Sequence, residues 1–588
     1  MLPERGQGAL PIPFIPLLAV VLLYLAYRWA LPKPISGIPY DESARRNILG
    51  NLPEMRAFLK KNGRLRPWIV NHPARHKSPI TQFWARPFAR PSIILSDFQE
   101  TQDILLRRTK EFDRGQRSVD FFKGVIGNHH IAMKSNDPRF KGNKELVKDL
   151  MAPTFLNEVS APEIYAKAMS LVELWTVKAQ LAAGRPFDVH KDIFDAAIDI
   201  INAASFGLDD DLSTVKHQLN SLTTLSDVEL PINADGSVRF THPPDVPEIA
   251  AIHQISQHIG FTFKSQWPLF THYYRLWTSP SLRRAIRLKD KLIHDEIEKS
   301  AARFRSGNDR MRSAMDHILQ REMNAAKKAG RPPVFHSARI RDELFGYIIA
   351  GHDTTATSVR WMVKWLADDQ TAQHKLRSAL HAAYAGALAE KRQPSVAELA
   401  KTSVPYLDAF LEEVLRVNAP IPFTMRDTTV DTTLLGHRIP RGTSIFFAME
   451  GPGYLMPSIP FPDDSVRSDT SRAAVVKGQC HGAWDPEDIA CFRPERWLKR
   501  TADGKGESEG EGEGYYFDPK AGPLLTFSLG PRGCFGRRLA YLETRLVLAL
   551  LVWNFEFHQL PGELGSRAVV DGITVAPQKC FVSLTKLP

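Results

Sequence analysis

Cysteine is scarce in this chain: four among 588 residues, Cys480, Cys491, Cys534 and Cys580, all within the last fifth. No CxxC pair or Cys/His spacing suggests a zinc module, and so few thiols argue against a disulfide framework. The folded body is therefore expected to face a reducing compartment. Blocks of lysine or arginine are also absent, although the net charge is +11. Without such a block or a binding motif, nucleic acid drops out as a partner. An anionic membrane surface and an acidic protein partner fit the dispersed positive charge better. There is no internal repeat and no flavin or nicotinamide motif.

Charge is missing from one long stretch. Ala9–Tyr27 carries none over 19 residues, enough for a single membrane pass. Pro11, Pro13 and Pro16 interrupt its first half, leaving Leu17–Tyr27 as the strong helical part. A cleaved signal peptide has an apolar region of similar length and stays an alternative. Arg28, Lys33, Arg45 and Arg46 flank the far end, which by the positive-inside rule leaves the body cytosolic. Pro32, Pro34 and Pro39 stiffen the exit as an extended linker. Residues 1–31 are accordingly read as an anchor and residues 32–588 as the body.

Within the body, Ile80–Arg86 and Pro91–Leu95 read as a strand pair, followed by a helix that Asp97 caps. Residues 112–133 lack clear periodicity, whereas 162–320 are mainly helical. Gly451–Gln479 and Thr501–Gly514 read as insertions. The second is too rich in Gly, Glu and Ser to bury apolar surface and is expected to be a disordered loop.

The chemistry concentrates in four motifs. Phe527-Ser528-Leu529-Gly530-Pro531-Arg532-Gly533-Cys534-Phe535-Gly536 is a glycine-rich turn that presents one cysteine at the start of an amphipathic helix. Free backbone N–H groups and the helix dipole there would favour a thiolate. Asp342–Leu366 is a long helix containing Ala350-Gly351-His352-Asp353-Thr354-Thr355. Pro405 and Pro420 bracket a helix with Glu413 and Arg416 at i,i+3, and Phe492-Arg493-Pro494-Glu495-Arg496-Trp497 follows downstream.

In this order the four motifs resemble those of the haem-thiolate monooxygenases, the cytochrome P-450 superfamily, and the anchor is similar to that of its fungal microsomal members. The resemblance runs from the anchor to near the C-terminus. It implies a mainly α fold with small β-sheets, one N-terminal transmembrane helix, and haem b lying between the long helix and the cysteine loop. Cys534 would ligate the iron, with Phe527 and Gly536 framing it. Arg532 and Arg426 would hold the propionates. Ala350 and Gly351 would leave room for dioxygen, and Asp353 and Thr354 would deliver protons to it, the Thr354 hydroxyl opening a local bulge in the helix. His352 points away from the iron and is not a ligand. Glu413, Arg416 and Arg496 would form a buried structural cluster. Family members carry Trp-x-x-x-Arg on the helix at 141–155; this chain has no such tryptophan, and anchoring on Phe155 sets Lys144 and Lys148 at the matching positions.

The expected function is a membrane-anchored monooxygenase of the endoplasmic reticulum, acting on a small apolar organic substrate, as in fungal secondary metabolism. Electrons would come from NADPH through a separate membrane-bound reductase, docking near Arg537, Arg538 and Arg545. Two other readings are a haem-thiolate isomerase or dehydratase, which usually lacks the acid–alcohol pair, and a non-enzymatic haem-binding protein.

Overall fold

A computed structural model describes residues 14–208, 212–223, 230–307, 310–461, 463–501 and 514–588. Helix α1 (Phe14–Ala30) leaves Leu17, Leu18, Leu22, Leu23 and Leu25 exposed. Pro16 sits in its first turn, where a missing N–H costs nothing. Of the expected span Ala9–Tyr27, residues 9–13 lie outside the described residues. The 17 residues of α1 rise only ~25 Å, against ~30 Å of hydrocarbon. Among the described residues, no helix is long and apolar enough to cross a membrane.

Five strands form the main sheet: β1 (Ile80–Phe83), β2 (Ser92–Leu95), β3 (Phe112–Asp113), β4 (Phe423–Thr428) and β5 (Ser444–Ala448), in the order β1-β2-β5-β4-β3. Strand β2 pairs with β5 in parallel, Ile93 opposite Ile445, and the other pairings are antiparallel. Ile93, Ile94 and Leu95 are fully buried, so this strand reads as an unbroken apolar run rather than an alternation. Pairing of β3 with β4 sets Asp113 opposite Asp427, which brings the ends of two distant segments together.

Among the described residues, helices and five two-stranded sheets make up the rest of the body. The helices include α2 (Phe98–Leu106), α3 (Pro138–Val147), α4 (Ala161–Ala182), α5 (His190–Phe206), α6 (Pro247–Phe263), α7 (Pro268–Thr278), α8 (Pro280–Arg305), α9 (Ala338–Asp368), α10 (Pro405–Val417) and α11 (Arg537–Asn554). Asp97 caps α2 as expected, its Oδ1 accepting from Glu100 N at 2.7 Å. The 31-residue α9 is capped by Ser337 and buried nearly all round, between α5 and α11.

Two stretches are more regular than their sequence suggests. Residues 112–133 contain β3, a helix at Gln116–Ile126 and a 3₁₀ turn at His130–Ala132. The helix Gln116–Ile126 buries Val119, Phe121 and Ile126, and Phe121 stacks on Phe263 of α6 at 4.3 Å. Gly451–Gln479 is pinned to α2. Arg467 donates to both carboxylate oxygens of Asp97 at 2.8 and 2.7 Å, and the Ser468 and Thr470 hydroxyls donate to Asp103 Oδ2. The expected loop at Thr501–Gly514 lies, over residues 502–513, outside the described residues. Strands Leu498–Arg500 and Tyr515–Phe517 pair at its base.

The expected cluster on α10 is present. Arg416 donates to Glu413 Oε1 and Oε2 at 2.7 and 2.8 Å, Arg496 Nε reaches Oε1 at 3.0 Å, and Trp497 Nε1 donates to Oε2 at 2.9 Å. The remaining guanidinium protons go to the Asp488 carboxylate, which Arg496 Nη1 reaches at 2.8 Å, and to the carbonyls of Tyr454, Ile489, Asp488 and Cys491. Every charge is paired and hydrogen-bonded, the condition under which a buried cluster fixes register.

Candidate functional site

The cysteine loop is built by backbone bonds. Cys534 N donates to Phe527 O at 2.7 Å and Gly533 N to Gly530 O at 2.9 Å. Gly530 has φ +69°, and a Cβ there would come 2.0 Å from Leu105 O, so only glycine lets the loop lie against the end of α2. Cys534 stands three residues before α11. Its side chain is open on one side, while protein encloses the sulfur elsewhere, and this enclosure raises the thiol above its ordinary value. The Gly536 N–H and Arg537 pull the other way without prevailing. Deprotonation of such a thiol accompanies metal ligation. Phe527 packs against Tyr541 at 5.0 Å, and a Cβ at Gly536 would meet nothing within 4 Å, which leaves room for a flat ring beside the backbone.

Beside this loop lies a group of cations short of anions. Arg532 comes from the loop, Arg426 from β4, and Arg114 from the residue after β3. Arg532 donates to Met133 O at 2.6 Å and stacks over Phe140 at 4.4 Å. Arg426 donates to Met425 O at 2.8 Å and reaches Ser528 Oγ at 3.5 Å. Burial pushes Arg532 and Arg426 down to about 10, with Arg532 repelling Arg426 besides. Burial and both neighbours push Arg114 well below the guanidinium range. Asp113 is the acid beside them. Its oxygens already accept from Arg114 N, Ser135 N and Ser135 Oγ. Arg114 Nε and Arg532 Nη1 are buried without a partner. Such a cluster calls for two further negative charges, and the two propionates of a haem fit it.

Of the two expected lysines, only Lys144 is here. Its Nζ donates to Pro531 O at 3.0 Å and lies 5.7 Å from the Phe140 ring; burial and then Arg532 lower its pKa. Lys148 instead pairs with Glu145 on the outer surface. The alignment on Phe155 assumed one continuous α-helix. In fact α3 ends at Val147, and a 3₁₀ turn (Lys148–Met151) and a π turn (Leu156–Ser160) follow. The aromatic-x-x-x-basic pair is thus Phe140 and Lys144, one turn earlier, with phenylalanine in place of the family's tryptophan.

On α9, Ala350 is exposed in the middle of a buried helix, as an opening beside a cofactor requires. Gly351 serves otherwise: a Cβ there would lie 2.6 Å from Ile201 Cδ1, so it permits close packing of α5 rather than space for dioxygen. Thr354 Oγ1 donates to Ala350 O at 2.8 Å, but the helix runs on without a bulge. Asp353 Oδ2 accepts from Ser256 Oγ of α6 at 2.5 Å. His352 is fully buried, with Nδ1 2.9 Å from Ile348 O and Nε2 3.5 Å from Asp353 Oδ1. The basic residues of α11 differ in how far they are tied to the body. Arg545 bonds Asp408, Leu399 O and Thr402 O, Arg538 bonds Met151 O, and Arg537 lies over Tyr541. Arg537 and Arg538 remain exposed at the start of α11.

Sequence reasoning missed Arg114, Phe140 and Ser256. A lone arginine after a two-residue strand carries no local signal, and Ser256 meets Asp353 from 97 residues away.

A family model described as Cytochrome P450 matches residues 51–453 and 485–579. The chain is similar to the cytochrome P450 monooxygenase TRI13 of Fusarium sporotrichioides, with 36% identity over 97% of this chain and 98% of that one. It is also similar to the cytochrome P450 monooxygenase xilC of Penicillium crustosum, at 33% over 96% and 94%. Among solved structures it resembles a cytochrome P450, CYP102L1, with a TM-score of 0.63 and 16% identity over 95% of this chain and 99% of that one, a likeness of fold alone. The family implies a haem-thiolate cofactor, an electron-donating partner and an organic substrate. On its family match and its relatives, the chain belongs to the cytochrome P450 family and is a P450 monooxygenase.

Proposed function

We propose that this monooxygenase inserts one atom of dioxygen into a small apolar organic substrate, drawing electrons from NADPH through a separate membrane-bound reductase. The observation that carries the reading is the acid–alcohol pair Asp353–Thr354, on α9 beside the exposed Ala350. Haem held by the Cys534 thiolate supplies dioxygen activation, with electron density that favours O–O cleavage. The protein's own residues do the rest. Arg114, Arg426, Arg532 and Lys144 hold the propionates. Thr354 gives up its bond to Ala350 O and hands over a proton, and Asp353, fixed by Ser256, replaces that proton through water. Such assistance is typically worth ~10²–10⁴-fold.

A membrane location fits two surfaces. Helix α1 exposes Leu17, Leu18, Leu22, Leu23, Leu25 and Trp29, and residues 9–13 before it are also uncharged. Helix α7 with its cap exposes Trp267, Phe270, Tyr273, Tyr274 and Trp277, aromatic side chains of the kind enriched at a bilayer interface. Residues 1–31 then anchor residues 32–588 on the cytosolic face of the endoplasmic reticulum. A role in secondary metabolism is supported by a similar P450 from Dothistroma septosporum whose name places it in a gene cluster.

The test is turnover under ¹⁸O₂ with NADPH and a reductase, after a library of terpenoids, polyketides and fatty acids has been screened by difference spectra. One ¹⁸O per product and NADPH consumption are expected. Product without either would mean rearrangement chemistry instead.

A further inference from the structure

Where the linker after α1 returns to the body, three potential metal ligands meet. His72 Nε2 lies 3.1 Å from Asp41 Oδ2, and His76 Nε2 lies 3.1 Å from Asp41 Oδ1. All the ligand atoms fall within 4.8 Å of one another. The histidines stand at i and i+4 around the short helix His72–Arg75, so both imidazoles leave the same face, with ring centroids 4.6 Å apart. Asp41 reaches them from a segment 31 residues earlier.

We propose that Asp41, His72 and His76 bind one divalent transition-metal ion of the zinc class, which clamps the linker to the body. Two imidazoles and one carboxylate form a zinc donor set that leaves a fourth position for water. With bonds of ~2.0–2.1 Å, tetrahedral ligand atoms stand ~3.3 Å apart, close to the nitrogen–oxygen spacings here.

The surroundings are those of held ligands. His72 is fully buried, and its other nitrogen, Nδ1, lies 2.9 Å from Thr81 Oγ1 on β1. If that nitrogen donates to Thr81, Nε2 carries a lone pair facing a carboxylate, a contact that a cation relieves. Asp41 Oδ2 also accepts from Asn51 Nδ2 at 2.8 Å, an outer bond that fixes the carboxylate. Asp41 and His76 are each 18% exposed, which gives an ion a way in. Arg75 is the cation that faces the site, 3.7 Å from Asp41 Oδ2, and its closer bond to Glu54 at 2.8 Å draws it aside. Nearby, Gln82 already bonds Ile35 N, Ile35 O and Ile38 O, so the ion would add a second tie at the same junction.

The experiment uses tag-free, haem-loaded full-length protein, stripped with a chelator and then titrated with zinc against a chromophoric competitor. Zinc-edge X-ray absorption, well separated from that of iron, reads the ligands. One zinc per chain is expected, with two imidazole nitrogens and oxygen at about 2.0–2.2 Å. His76→Ala and Asp41→Asn should each weaken binding by more than the ~10–100-fold that an outer-shell change such as Thr81→Val costs. Zinc should raise the Tm of the wild type and leave that of His76→Ala unmoved. Haem content and circular dichroism report whether each variant folds, and Asp41→Asn decides alone if His76→Ala does not. A wild type that retains no zinc, or a folded variant that binds it as tightly, would overturn the site and leave Asp41 as a purely hydrogen-bonded hub.

Discussion

The Ser256 hydroxyl donates to Asp353 Oδ2 across 2.5 Å, joining α6 to the middle of α9. The bond fixes the carboxylate that the proposed proton relay depends on, while among the described residues Ser256 itself makes no hydrogen bond to Thr354 or to the cysteine loop. Ser256→Ala should therefore lower coupled product formation by about tenfold, equivalent to about 1.4 kcal/mol. Asp353→Asn and Thr354→Ala should cost ~10²–10⁴-fold, with Thr354→Ala spending NADPH on hydrogen peroxide. Product, NADPH and peroxide measured together separate these cases. Full coupling in the Asp353→Asn, Thr354→Ala double variant would remove both residues from the mechanism.

The four cysteines should behave differently. Reduced protein with carbon monoxide should show a strongly red-shifted Soret band, lost in Cys534→Ala and kept in Cys480→Ala, Cys491→Ala and Cys580→Ala. In alkylation with iodoacetamide, exposed Cys491 should react first. Cys580, fully buried with its thiol pushed up to about 12, should stay unmodified until the protein unfolds.

Haem retention tests the cation cluster. Arg532→Ala, Arg426→Ala and Arg114→Ala should each weaken haem binding by about tenfold or more, the range for a lost charge-assisted hydrogen bond. Lys148→Ala should change nothing, because its partner is Glu145 on the surface. Haem content after gel filtration gives the order, and equal loss in Lys148→Ala would restore the register read from Phe155.

Glu543 gives a stability signature. On α11 it accepts from Thr355 Oγ1 at 3.2 Å, and burial pushes its carboxyl from the ordinary 4.5 to about 8. The folded protein then holds a proton that the unfolded chain has released. Stability is lost as pH rises through that interval, by up to about 1.4 kcal/mol per pH unit from this group. Glu543→Gln lacks the slope. Its Tm relative to wild type should climb between pH 5 and pH 8 and level off above; a constant offset would show that Glu543 is ionised when folded.

What could be read from the sequence follows from how local each signal is. The Cys534 loop and the Asp353–Thr354 segment are short local patterns, and the Glu413/Arg416/Arg496 cluster became legible through the family resemblance that joins two motifs 83 residues apart. Arg114 owes its role to β3 pairing with β4, more than 300 residues downstream. Lys148 was misplaced because a change of helix type after Val147 leaves no mark in composition. Gly351 stands in the expected motif and still faces Ile201, since the same glycine suits a small gap on either side of a helix. The Asp41–His72–His76 group was invisible because two of its members are spaced like any helical face and the third arrives from the linker.

The parallel pairing of β2 with β5 has a consequence for how this protein is made. Ile93 leaves the ribosome roughly 350 residues before its partner Ile445, a delay of about 20–70 s at about 5–20 residues per second. Throughout that interval the hairpin of β1 and β2 presents an apolar, unpaired edge, the kind of template on which nascent chains associate. Chaperone demand during synthesis is thus written into the sheet order, and it ends only when the strand beginning at Ser444 emerges and closes the edge.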